Sequence, residues 1–147
     1  MKKAYYLFGS ALLGLVLLAS NDRFDGADYG FKNGTPAVQS VSALAFGPDG
    51  ILFIGDSKSA TIFALDTRDR TLVEKAKAVE LKNVDRKIAA VLGTSPENIT
   101  IQDLAVNPIS KKLYCAVHGA DGTPVLLTID GENIQPVSLK NIPYSAA

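Results

Sequence analysis

The sequence predicts a mainly β fold, built from two antiparallel meanders with one short helix between them, and three observations carry that prediction. The segment Ser42 to Asp66 (SALAFGPDGILFIGDSKSATIFALD) is echoed about 60 residues later by Gln102 to Asp130 (QDLAVNPISKKLYCAVHGADGTPVLLTID), and self-similarity at such a period marks a repeated supersecondary unit. In both copies a Leu-Ala-hydrophobic triplet leads through a Pro turn to a short aromatic strand, a polar turn and a third strand closing on Asp. Between the copies, Asn83 to Leu92 (NVDRKIAAVL) drops the strand pattern and sets Val84, Ile88, Val91 and Leu92 at helical spacing before Gly93, a glycine C-cap.

Taken in chain order, residues 21–40 begin with an Asp-, Gly- and Asn-rich stretch (NDRFDGADYGFKNG) without sustained periodicity, which reads as an irregular approach to the fold. Val41 to Phe46 is the first strand, and Gly47-Pro48-Asp49-Gly50 turns the chain, Pro presetting φ and Gly50 free to take a positive φ. Ile51 to Ile54 and Thr61 to Leu65 follow as strands, and Thr71 to Leu81 (TLVEKAKAVEL), with its charged outer face, is the expected fourth. The second copy repeats the order with Leu104 to Val106, Lys112 to Val117 and Val125 to Ile129. Ile134 to Leu139 is its fourth strand, where Pro136 is tolerable only on a sheet edge.

Four antiparallel strands in a meander, apolar inside and more polar outside, make one blade of a β-propeller. The predicted organisation is a leader at 1–20, an irregular segment at 21–40, one blade at 41–82, a helical insertion at 83–98 and a second blade at 99–147. This is a partial β-propeller of four-stranded meander blades. Because a ring takes about four to eight blades, the sequence further predicts that remaining propeller blades complete it.

The residues LAFGPDGILFIGDS resemble the NHL-type propeller repeat, with Leu44, Pro48, Asp49, Gly50, Leu52, Phe53 and Asp56 at the repeat's positions. The second copy keeps Leu104, Pro108, Leu113 and Tyr114 but has Val117 where the first has Asp56, so the Asp is not a repeated functional feature. The resemblance spans about two blades. It implies an exported binding module that recognises a protein, peptide or glycan at the channel rim. The alternative it leaves open is part of a propeller enzyme, lactonase-like or dehydrogenase-like, whose other site residues lie in further blades.

The N-terminus predicts export. Lys2 and Lys3 precede an apolar run from Leu7 to Ala19, no acidic residue occurs before Asp22, and Ala19 and Ser20 offer a small-residue cleavage site, the layout of a secretory leader. The run is shorter than the roughly 20 residues that span a bilayer, so no stable membrane span is expected in the mature chain. Cleavage takes two of the 15 basic residues and none of the 15 acidic ones, leaving a nearly neutral protein. Nucleic-acid binding wants a basic stripe with stacking aromatics, and the sequence has neither. With one His and one Cys, the chain cannot build a multi-His or Cys-rich zinc centre or an internal disulfide. Cys115, between Tyr114 and Ala116, reads as a small buried hydrophobe. No G-x-S-x-G elbow, phosphate loop or dinucleotide fingerprint is present. The residues identify no cofactor.

In a meander blade the start of the first strand and the end of the second share one rim of the channel. That rim gathers Asp56, Ser57, Asp103 and His118 as candidate ligand-binding residues, with Ser42 beside them. Each has an ordinary structural alternative: Asp56 and Ser57 suit side-chain-to-backbone turn bonds, Asp103 a strand-entry turn, and His118 an exposed turn before Gly119.

Overall fold

The structure is a computed structural model that describes residues 29–79 and 82–147. The leader at 1–20 and the start of the irregular segment lie outside the described residues. Among the described residues, nine strands form two antiparallel sheets. The five-stranded sheet runs β1-β9-β4-β3-β2, with β1 at Lys32–Gly34, β2 at Ala43–Phe46, β3 at Ile51–Asp56, β4 at Thr61–Asp66 and β9 at Ile142–Ala146. The four-stranded sheet runs β5-β6-β7-β8, with β5 at Ile99–Val106, β6 at Leu113–Gly119, β7 at Pro124–Asp130 and β8 at Asn133–Pro136. Helix α1 covers Val84–Leu92 and ends at Gly93, whose φ of 68° lets its N–H reach the carbonyls of Ala89 and Ala90. Among the described residues no helix is long and apolar enough to cross a membrane.

The two meanders share one register, pair for pair. Ala43↔Gly55, Leu44↔Ile54, Ala45↔Phe53 and Phe46↔Leu52 in the first sheet correspond to Asp103↔Ala116, Leu104↔Cys115, Ala105↔Tyr114 and Val106↔Leu113 in the second. The next ladder agrees as well: Leu52↔Leu65, Phe53↔Ala64, Ile54↔Phe63 and Gly55↔Ile62 match Leu113↔Ile129, Tyr114↔Thr128, Cys115↔Leu127 and Ala116↔Leu126. Because strand side chains alternate between faces, this register assigns each of these paired residues of the first sheet a counterpart on the same face of the second.

The sheets stack face to face. Leu44, Leu52, Ile54, Phe63 and Leu65 of the first sheet pack against Tyr114, Ala116 and Leu126 of the second, with Val41 completing the cluster. The opposite face of the second sheet, carrying Cys115, Val117, Leu127 and Ile129, is covered by Ile88 of α1 with Val84 and Leu92 beside it. The helix is amphipathic as its spacing predicts, except that Val91 faces solvent.

One strand assignment needs correction. Thr71 to Leu81, expected as the fourth strand of the first meander, forms no strand over its described residues, and β9 takes the place instead, pairing Phe63↔Ala146, Ala64↔Ser145 and Leu65↔Tyr144. The physical reason is burial. Tyr144 and Ile142 pack onto the intersheet core and the Tyr144 ring lies 6.4 Å from that of Phe63, whereas the 71–79 segment offers mostly charged or small side chains and leaves Leu72 in solvent. β8 is the edge of its sheet, which accommodates Pro136.

Candidate functional site

The four residues singled out from the sequence come together at one end of the stack, around the segment Gln39–Leu44 that leads into β2. Asp56, at the end of β3, is 2% exposed. Its carboxylate accepts the Gln39 N–H (2.7 Å), the Ser40 hydroxyl (2.6 Å), the Lys58 N–H (3.0 Å) and the Ser59 N–H (3.2 Å). Burial alone would raise its pKa, but the bonds from Ser40, Gln39 and Ser59 outweigh it and hold the carboxyl far below the usual carboxylate range. Ser57 donates its backbone N–H to the Ser42 hydroxyl (3.1 Å), and its own hydroxyl lies 3.5 Å from that of Ser40.

Asp103 and His118 reach the same segment from the second sheet. The Asp103 carboxylate accepts the Leu44 N–H (2.7 Å) and the N–H of Leu104 (2.8 Å). A bulge between Ile101 and Asp103 makes Asp103 the partner of Ala116 and therefore turns it toward the first sheet. His118 accepts the Val41 N–H at Nε2 (3.0 Å), so the other ring nitrogen carries the proton. β2 is an edge strand, and these two side chains occupy donors that the edge would otherwise present to solvent or to another chain. Asp103 and His118 thus act as a latch between the sheets, while Asp56 and Ser57 hold the Gln39–Ser42 segment to the β3–β4 turn.

A second polar cluster, which sequence reasoning missed, latches the opposite end. Asp69, just beyond β4, accepts the Ser110 hydroxyl (2.6 Å), the Tyr114 hydroxyl (3.1 Å) and the Asn107 amide (3.3 Å at the carboxylate, 2.9 Å at its backbone carbonyl), and pairs with the Lys112 ammonium at 3.1 Å. Asn107, fully buried, also receives the N–H groups of Ile109 and Ser110 and so shapes the β5–β6 turn. Burial and then the nearby Asp69 charge push the Tyr114 phenol well above its ordinary value. Two signals for this cluster exist in the sequence. Asn107-Pro108 begins a turn of the kind that Asn side chains cap, and a Tyr in an otherwise apolar strand needs a partner for its hydroxyl. Asp69→Asn, which keeps the shape but removes the charge facing Lys112, is expected to cost about 2 kcal/mol in chemical denaturation. An unchanged midpoint would mean that the Asp69 charge contributes nothing to stability.

No group of three or more His, Cys, Asp or Glu side chains capable of holding a metal ion occurs among the described residues. Cys115 is fully buried beneath α1, and burial pushes its thiol up to about 11, which removes the thiolate character a nucleophile needs.

The exposed feature that stands out is apolar. On the outer face of the first sheet, two rows cross the strands: Ala45, Phe53, Ala64 and Ser145 in one, Ala43, Gly55, Ile62 and Ala147 in the other, with Ala64 itself buried. Ile62 is 59% exposed and Phe53 38%. Their register counterparts in the second sheet, Leu126 and Tyr114, are each 3% exposed and packed against the first sheet. The Phe53 ring lies over Gly47, where a Cβ would meet it at 2.7 Å, so a side chain there would push the ring off the face. No family model, curated protein or solved structure matches this chain.

Proposed function

We infer that this chain is an exported repeat module of the β-propeller type that holds a protein partner, and that the outer face of the five-stranded sheet is the surface it uses. The observation that carries the reading is the register equivalence. The face bearing Ala43, Ala45, Phe53, Gly55 and Ile62 has the same place in its meander as the face bearing Asp103, Ala105, Tyr114, Ala116 and Leu126, and the latter is buried against a sheet. A face with that pattern has the chemistry of a sheet-packing surface, and apolar sheet faces left open on a folded protein mark interaction sites. Among the rim residues, Asp103 and His118 tie the second sheet to the segment leading into β2, while Asp56 and Ser57 fix that segment to the β3–β4 turn within the first sheet.

Dye binding tests the reading. At protein concentrations near about 1 µM, where weak association is negligible, the wild type should bind a naphthalene sulfonate dye. Ile62→Lys should lose most of that signal while its thermal midpoint moves by no more than about 3 °C, the scale of an exposed-site substitution. Equal dye binding by both proteins, or none by the wild type, would remove the face from consideration.

A further inference from the structure

We propose that His118 is a pH-sensitive latch: in mild acid its ring takes up a proton, releases the Val41 N–H and frees the middle of the segment leading into β2 from the second sheet.

The bond works only with a neutral ring. Nε2 of His118 accepts the Val41 N–H at 3.0 Å, and a ring nitrogen that accepts carries no proton of its own. Imidazolium presents an N–H at both nitrogens, so protonation sets a donor against a donor. Val41 cannot turn to water instead, because it is 1% exposed and belongs to the intersheet cluster, where an unsatisfied N–H is costly. The ring is half-buried near the end of β6 and open to a proton from solvent. His118 is the single histidine of the chain, and no other side-chain type ordinarily changes charge in mild acid.

The charged groups around the ring have partners of their own. On β5, Asp103 accepts the N–H groups of Leu44 and Leu104. Residues 39–44 carry no titratable side chain, and Asp56 behind them is filled by donors from Gln39, Ser40, Lys58 and Ser59. In the β6–β7 turn, Asp121 accepts the Thr123 N–H and hydroxyl, with the Lys58 charge nearby. The residues paired with His118 in the ladders, Thr100 and Pro124, do not titrate. Release is therefore local. Asp103 still holds Leu44, and Asp56 still holds Gln39 and Ser40, so the segment stays tethered on both sides of Val41. The latch contributes stability at neutral pH and loses it as pH falls through the ordinary imidazole range near about 6.5.

Amide hydrogen exchange followed by NMR between about pH 7.5 and about pH 5.5 reads the latch bond by bond, once converted to protection factors that remove the intrinsic pH dependence of exchange. In the wild type, Val41 protection should fall about tenfold on acidification, the scale of one hydrogen bond, while the Leu44 N–H, held by a carboxylate, keeps its protection. His118→Gln, whose amide oxygen accepts at every pH, should hold Val41 protection constant. Equal Val41 protection at both ends of the range in the wild type, or an equal fall in His118→Gln, would overturn the latch. A fall shared by Leu44 and the core amides of β3 would overturn it too, because it would report unfolding rather than release. Should His118→Gln fail to fold, nitrogen NMR of the wild-type imidazole decides. A ring that changes from the neutral Nδ1–H form to imidazolium over the same interval in which Val41 loses protection supports the latch, and changes at separate pH values overturn it.

Discussion

Asp56→Ala should destabilise the protein by about 3 kcal/mol at pH 7, lowering the thermal midpoint by roughly 10 °C. The substitution removes one carboxylate but strands four donors: the backbone N–H groups of Gln39, Lys58 and Ser59 and the Ser40 hydroxyl. Ser40 is itself buried, so water cannot simply replace the lost acceptor. The effect has a defined pH dependence. A carboxyl whose folded pKa is depressed stabilises the fold fully above its unfolded value, about 3.9, and loses that contribution as pH falls through and below it. The Asp56 pKa is depressed by its hydrogen bonds despite burial. The stability difference between wild type and Asp56→Ala, measured by urea denaturation, should therefore be constant from about pH 5 to 7 and shrink steadily toward pH 2. Asp56→Asn should recover part of the loss, since an amide oxygen still accepts. A difference that is flat across this range, or that grows on acidification, would mean that the carboxylate does not anchor the turn in its charged form.

Much of the architecture is legible in the sequence because it is local. The Gly47 to Gly50 turn, the strands on either side of it and the Gly93 stop of α1 each follow from residues within a few positions of one another. The second copy inherits the same logic. The fourth strand of the first sheet is not local: β9 reaches β4 across most of the chain, and IPYSA carries little strand propensity of its own. Its place is decided by Tyr144 and Ile142 finding the intersheet core, a packing event that a period-two pattern in Thr71 to Leu81 cannot outweigh with charged side chains. The convergence of Asp56, Ser57, Asp103 and His118 on one end follows from meander geometry. What they bond there does not, because it depends on the path of Gln39 to Leu44, which has no periodicity to read. Asp69 was hidden for the same reason. Its partners Asn107, Ser110, Lys112 and Tyr114 lie about 40 residues downstream and meet it only when the sheets stack.

The central claim is that Ile62 and Leu126 occupy equivalent positions in two register-matched meanders, one face open and the other buried. The paired substitutions Ile62→Ala and Leu126→Ala test it most directly, each removing aliphatic volume at the same register position. Leu126 is 3% exposed and packs among Val41, Leu44, Ile54 and Phe63 in the intersheet cluster, so its truncation leaves a cavity and should cost about 3 kcal/mol. Ile62 is 59% exposed, and its truncation should change monomer stability by less than about 0.5 kcal/mol. Urea denaturation of both variants beside the wild type, at a concentration low enough to keep the chain monomeric, makes the comparison. A large loss for Leu126→Ala with an unchanged midpoint for Ile62→Ala is the predicted result. Losses of similar size in the two variants would contradict the account, because they would place the outer face of the five-stranded sheet inside the folded monomer.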